Sequence, residues 1–152
     1  MNLPEPHWVK PLKSYALEVL ERLGRDGWDL SVVLCDDKAM SQLNGQYRGK
    51  EGATDVLSFA LDEGDQFPPG DGRKGRGRRL PGDIVISLDT LRENARRFKV
   101  GEDEELRRLL IHGILHLDGM DHRGNGKAEP MLQLQEKILA SVSGRHILGR
   151  SE

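Results

Sequence analysis

The chain has a single cysteine, no long apolar run and almost no net charge, and each scarcity removes a class of protein. Cys35 alone permits no internal disulfide partner and points to a reducing, cytoplasmic setting. It sits in an apolar run and reads as a core residue, not a reactive thiol. No stretch approaches membrane-spanning length, and residues 1–10 lack a basic-then-apolar signal pattern, so no membrane partner is expected. With a net charge of −2, global electrostatics do not announce nucleic-acid binding, and any such affinity must come from local basic surface. What remains is 152 residues, 32% charged and 36% hydrophobic, expected to form a single domain over 1–152. No internal repeat is visible.

Histidine is what the chain concentrates. Three of its five histidines fall within His112-Gly113-Ile114-Leu115-His116-Leu117-Asp118-Gly119-Met120-Asp121-His122. The run before it opens acidic at residue 102 and repeats apolar residues at Leu106, Leu109, Leu110, Ile114, Leu115 and Leu117. That is helical spacing, with acids at the positive end of the helix dipole. On such a helix His112 and His116 are i and i+4, about 40° apart around the axis, so both can reach one ion. Gly119 sits where a left-handed residue ends a helix, and the reversal brings His122 back toward the same point. Three nitrogen donors with an open fourth position form the donor set of a catalytic zinc. One class of metalloprotease uses the same spacing, H-E-x-x-H-x-x-G-x-x-H, with a Glu after the first His as general base. Here that position is Gly113, which can present no carboxylate. The metal cradle is kept and the usual peptidase base is gone.

The remaining elements are short. Residues 11–23 read as an amphipathic helix with Leu12, Tyr15, Ala16, Val19, Leu20 and Leu23 inward and Gly24 as its stop. Residues 28–35 read as a strand, with Val32, Val33 and Leu34 buried on both faces. Asp36 or Asp37 caps a short helix carrying Ala39, Met40 and Leu43, and residues 44–52 read as a polar loop. Strands are expected over 55–61 and 83–88. A helix follows over 89–99, with Leu91, Ala95 and Phe98 inward. Pro130 opens a last helix to about residue 142, with Met131, Leu134, Ile138 and Leu139 inside. Residues 62–81, rich in Gly and Pro, form an excursion that is acidic first and basic later, at Arg73, Lys74, Arg76, Arg78 and Arg79. That excursion reads equally as a solvated loop or as an arm that grips phosphates. Together these elements indicate an α+β fold with a metal-binding helix packed on a small sheet.

H-G-x-L-H-L-x-G-x-D-H resembles the signature of the YbeY family of single-strand-specific metallo-endoribonucleases. Two further blocks are similar to that family and follow in its order. The first runs from Leu43-Asn44 through Tyr47-Arg48-Gly49-Lys50 to Thr54-Asp55-Val56-Leu57-Ser58-Phe59, and the second is Gly82-Asp83-Ile84-Val85-Ile86-Ser87. The resemblance spans roughly residues 30–140; Met120 departs from the Tyr often found there, at a packing position. It implies a zincin-like architecture with a small mixed sheet. It also implies a zinc-dependent endoribonuclease in ribosomal RNA maturation, 16S 3′-end processing and ribosome quality control, with single-stranded RNA and ribosomal subunits as partners.

The chemistry falls to few residues. One Zn2+ per chain, or another divalent transition metal, is expected on His112, His116 and His122, lowering the pKa of bound water to about 7. A phosphodiester needs its developing charge neutralised, which a planar guanidinium does best. An isolated loop arginine is by itself a surface charge, but the resemblance implies a catalytic role for Arg48 beside His112. Lys50, Thr54, Asp55 and Ser58 line the cleft, or Thr54 and Asp55 only organise the turn into the strand. Asp121 is a candidate for orienting an imidazole, whereas Asp118 is expected to be solvated. Whether metal hydroxide or the substrate 2′-hydroxyl attacks stays open. Two other classes compete: a metallohydrolase of another substrate, and a non-catalytic RNA-binding assembly factor. Gly113 speaks against peptides, and Arg48 beside an open metal favours catalysis.

Overall fold

The computed structural model describes residues 7–25, 27–49, 52, 54–60, 82–120, 129–142 and 147. Its elements in order are α1 (Val9–Arg22), β1 (Leu30–Cys35), α2 (Asp37–Arg48), β2 (Val56–Ala60), β3 (Gly82–Ser87), α3 (Leu88–Phe98), α4 (Glu102–Leu117) and α5 (Pro130–Ser141). The fold is α+β, as the sequence indicates.

β3 is the central strand of a mixed sheet ordered β1-β3-β2. It runs parallel to β1, pairing Val32 with Ile84 and Leu34 with Ile86, and antiparallel to β2, pairing Ser58 with Ile84. Because side chains alternate across a strand, β3 feeds two cores. Ile84 and Ile86, fully buried, share one core with Leu106, Leu110, Ile111 and Ile114 of α4 and Tyr15 and Val19 of α1. Val85 on the opposite face joins Met40 of α2 and Leu57 of β2 in a smaller cluster. α4 crosses the sheet and packs on α1, α3 and α5. No helix among the described residues is long and apolar enough to cross a membrane.

Local signals explain several helix ends. The Asp36 carboxylate caps α2 by accepting from the Ala39 backbone N–H at 2.9 Å, and the Ser87 hydroxyl caps α3 by accepting from Thr90 N–H at 3.3 Å. α4 closes in a Schellman motif: Met120 N–H donates to the Leu115 carbonyl and Gly119 N–H to that of His116, both at 3.0 Å. Gly119 takes the required left-handed conformation, φ +95°.

Four expectations are corrected. α2 continues through residues 44–48, which are not loop, because its stop lies further on, at Gly49 in the left-handed conformation. Arg48 is therefore the last residue of a helix. Val33 is 46% exposed: β1 is an outer strand whose second face is left open past the small cluster under α2. Phe98 is 58% exposed, since α3 ends at that residue, and its ring lies 5.9 Å below the Arg97 guanidinium. Asp118, its side chain 20% exposed, is not simply solvated: it accepts from Arg25 Nε at 2.8 Å, tying the turn after α4 to the chain leaving α1.

Candidate metal centre and cleft

α4 is held against the sheet by a missing side chain. A Cβ at Gly113 would lie 2.9 Å from Ile84 Cγ2 and 3.0 Å from its Cδ1, so only glycine lets the helix approach this closely. In the same place the Ser58 hydroxyl of β2 donates to the Gly113 carbonyl at 3.2 Å. This seating sets the histidines on either side of residue 113 over one edge of the sheet.

His112 and His116 bring their Nε2 atoms within 3.1 Å of each other, with ring centroids 4.7 Å apart and planes at 77°. Two nitrogens bound to one tetrahedral zinc at about 2.0–2.1 Å lie roughly 3.3 Å apart, so this pair fits a shared ion. Both rings line a cavity of about 340 Å³ whose other walls are Thr54, Asp55, Val56, Ser58 and Leu117. Thr54, Asp55 and Ser58 are thus brought to the histidines. Asp55 also organises the strand ends, its carbonyl accepting from Ser87 N–H at 2.9 Å and its carboxylate from Asn94 Nδ2 at 3.0 Å.

His122, Asp121, Lys50, Arg73, Lys74, Arg76, Arg78 and Arg79 lie outside the described residues, as does the side chain of Arg48. Among the described residues, therefore, the donor cluster amounts to the paired histidines.

Sequence reasoning missed Gln135. It is only 6% exposed, on the inner face of α5 among Met131, Ile138 and Leu139, and its Oε1 lies 2.7 Å from His112 Nδ1. A lone polar residue four positions after Met131 and three before Ile138, inside an apolar stripe, was the available signal. Its Nε2 donates to Glu136 Oε2 at 3.1 Å. Glu136 in turn accepts a two-pronged contact from Arg108, Nε to Oε2 at 2.8 Å and Nη2 to Oε1 at 3.2 Å. Arg108 also donates to Glu104 and Glu105, each at 2.8 Å.

The acids around Arg108 titrate apart. Glu105, with its side chain 4% exposed, is pushed above the ordinary carboxyl range by desolvation, which Arg108 offsets only in part. At half-exposed Glu136 desolvation also pushes upward, but hydrogen bonds from Arg108 and Gln135 outweigh it and hold the group below that range. Burial disfavours the Arg108 cation, yet its three carboxylate partners raise its pKa overall.

A helix presenting two imidazoles to a polar cleft beside a small mixed sheet makes an α+β protein with two nitrogen donors placed to share one ion. The family model for Endoribonuclease YbeY matches residues 4–143, and the chain belongs to that family. The Endoribonuclease YbeY of Treponema denticola is 44% identical over 148 residues, covering 96% of this chain and 92% of that one. The Treponema pallidum protein of the same name is 46% identical over 137 residues, covering 89% of this chain and 81% of its own. Among solved structures, the solution structure of TM1509 from Thermotoga maritima matches with a TM-score of 0.59 and 31% identity, covering 90% of this chain and 82% of that one.

Proposed function

We propose that the chain is a metal-dependent endoribonuclease that cuts single-stranded RNA in ribosomal RNA maturation, the 16S 3′ end included, with ribosomal subunits as the setting of its substrate. The observation that carries this reading is the 3.1 Å approach of two imidazole nitrogens on the wall of a polar cleft, in a member of the Endoribonuclease YbeY family.

His112, His116 and His122 would hold one divalent ion, zinc by its preference for imidazole donors with one position open. When bound, the ion supplies Lewis acidity toward a phosphoryl oxygen and lowers the pKa of water. The chain's own residues supply position and charge. Arg48, the last residue of α2, provides a planar, permanently charged group that can pair with two phosphate oxygens at once. Lys50 follows it as a point charge. The Ser58 hydrogen is engaged with the Gly113 carbonyl, so its oxygen faces substrate as an acceptor, suited to a ribose hydroxyl and not to a phosphate. Arg73, Lys74, Arg76, Arg78 and Arg79 add counterion-releasing contacts along the strand, and Asp121 steadies an imidazole. Gly113 stands where a peptidase of this spacing carries its base, which argues against peptide substrates.

The test sets metal-loaded protein against single-stranded RNA, duplex RNA and casein side by side. Cleavage of the single strand alone, abolished by chelator and restored by metal, is expected. Chelator-sensitive casein cleavage, or no RNA cleavage at any metal loading, overturns the reading.

A further inference from the structure

We infer that Gln135 is the positioning residue of the metal centre: by accepting from His112 Nδ1 it fixes the imidazole tautomer that presents Nε2 toward His116. The inference rests on the reading of His112 and His116 as metal ligands and adds the group that orients them.

A fixed charge anchors the arrangement. Arg108 is donor-only, and its fork on Glu136 keeps that carboxylate ionised and acceptor-only. The Gln135 amide lies between Glu136 and His112, with one end 3.1 Å from Glu136 Oε2 and the other 2.7 Å from His112 Nδ1. An acceptor-only carboxylate admits only the NH2 end. The amide oxygen must therefore face the imidazole, and an approach of 2.7 Å to an oxygen requires hydrogen on Nδ1. In the neutral ring the lone pair then sits on Nε2, the atom 3.1 Å from His116 Nε2. The chain Arg108–Glu136–Gln135–His112 thus sets the ligand atom from residues on two helices, α4 and α5.

Burial makes the arrangement hold. Gln135 is packed among Met131, Ile138 and Leu139, where an unsatisfied amide is costly and a rotated one would break both hydrogen bonds. An amide oxygen also orders the ring without adding a negative charge beside the ion, unlike a carboxylate at the same place.

The experiment uses the full chain in metal-free form. Nitrogen-15 NMR of the imidazoles at a pH where they are neutral reads the tautomer, and competition with a chromophoric zinc chelator reads affinity. In the parent protein His112 should carry its hydrogen on Nδ1. Gln135→Leu should lose that preference and weaken zinc binding about 10- to 100-fold. A folded Gln135→Leu protein with unchanged tautomer and affinity overturns the inference. If that variant does not fold, Glu136→Leu, at a half-exposed position, replaces it. It frees the amide to rotate and should give a mixed tautomer, and a pure Nδ1–H signal there overturns the inference equally. His116→Ala, measured alongside, separates the two claims. Unchanged zinc affinity in His116→Ala defeats the metal reading itself, while lost affinity there with none lost in Gln135→Leu defeats only the role of Gln135.

Discussion

Gly113 on α4 and Ile84 on β3 are so close that no other residue fits at 113 without displacing a fully buried side chain. Gly113→Ala gains about 1 kcal/mol of helix propensity but overpacks a site where such insertions cost roughly 1–3 kcal/mol. A net loss of about 1 kcal/mol in denaturant unfolding is expected. Ile84→Val removes Cδ1, one of the three Ile84 atoms the new methyl would meet, and keeps Cγ2, the nearest, so it relieves part of the overlap and should cost somewhat less in the Gly113→Ala background than alone. Gly113→Glu should destabilise further and confer no peptidase activity. Purely additive substitutions would contradict the contact.

Arg108 binds Glu104, Glu105 and Glu136, and Glu105 is the one buried. Arg108→Leu leaves that carboxylate without its cation, which costs roughly 3 kcal/mol in comparable sites. Adding Glu105→Gln should recover part of the loss. Equal stability of the single and double variants would show that Glu105 does not depend on Arg108.

Asp37 carries a pH dependence with a definite sign. The Ser87 hydroxyl, then that of Thr90, each at 2.6 Å, holds its carboxyl below the ordinary value. Between the folded value and the unfolded value of about 3.9 the unfolded chain binds more protons, so stability rises with pH there. The stabilisation is complete above the unfolded pKa and is lost as pH falls through the folded one. The difference in melting temperature between the parent and Asp37→Asn should be constant above about pH 5 and shrink below about pH 4. A difference independent of pH down to strong acid would contradict it.

What the sequence made legible were features carried by local periodicity. The i, i+4 placement of His112 and His116, the stop at Gly119 and the inward faces of α1 and α5 all follow from residues within one or two turns. The misses came from long-range geometry. Val33 looks like a buried strand residue until β1 is known to be the outer strand. Phe98 fits the apolar stripe of α3 but falls on its final residue. Residues 44–48 have weak helix propensity, yet Asp36 and Gly49 set the ends of α2 and the segment between them goes helical. Gln135 stands out in the sequence as a polar residue inside an apolar stripe, but its partner is a histidine 23 residues away, and only tertiary packing reveals the pair.

For Arg48 the expected signature is kinetic. Arg48→Lys keeps a positive charge but loses the two-pronged contact. Fold, metal content and most RNA affinity should persist, while kcat and kcat/KM fall together by about 10²-fold, on the order of 3 kcal/mol. An arginine that only grips substrate would raise KM with kcat preserved. Near-normal single-turnover cleavage by a folded, metal-replete variant would remove Arg48 from the mechanism.

The most direct test measures metal content and RNA cleavage on the same preparations of the parent chain and of His116→Ala. Elemental analysis should find one divalent ion per parent chain, with cleavage of single-stranded RNA in proportion to occupancy. His116→Ala, folded by its melting curve, should lose both together. Full metal content and undiminished cleavage in His116→Ala would contradict the account at its centre.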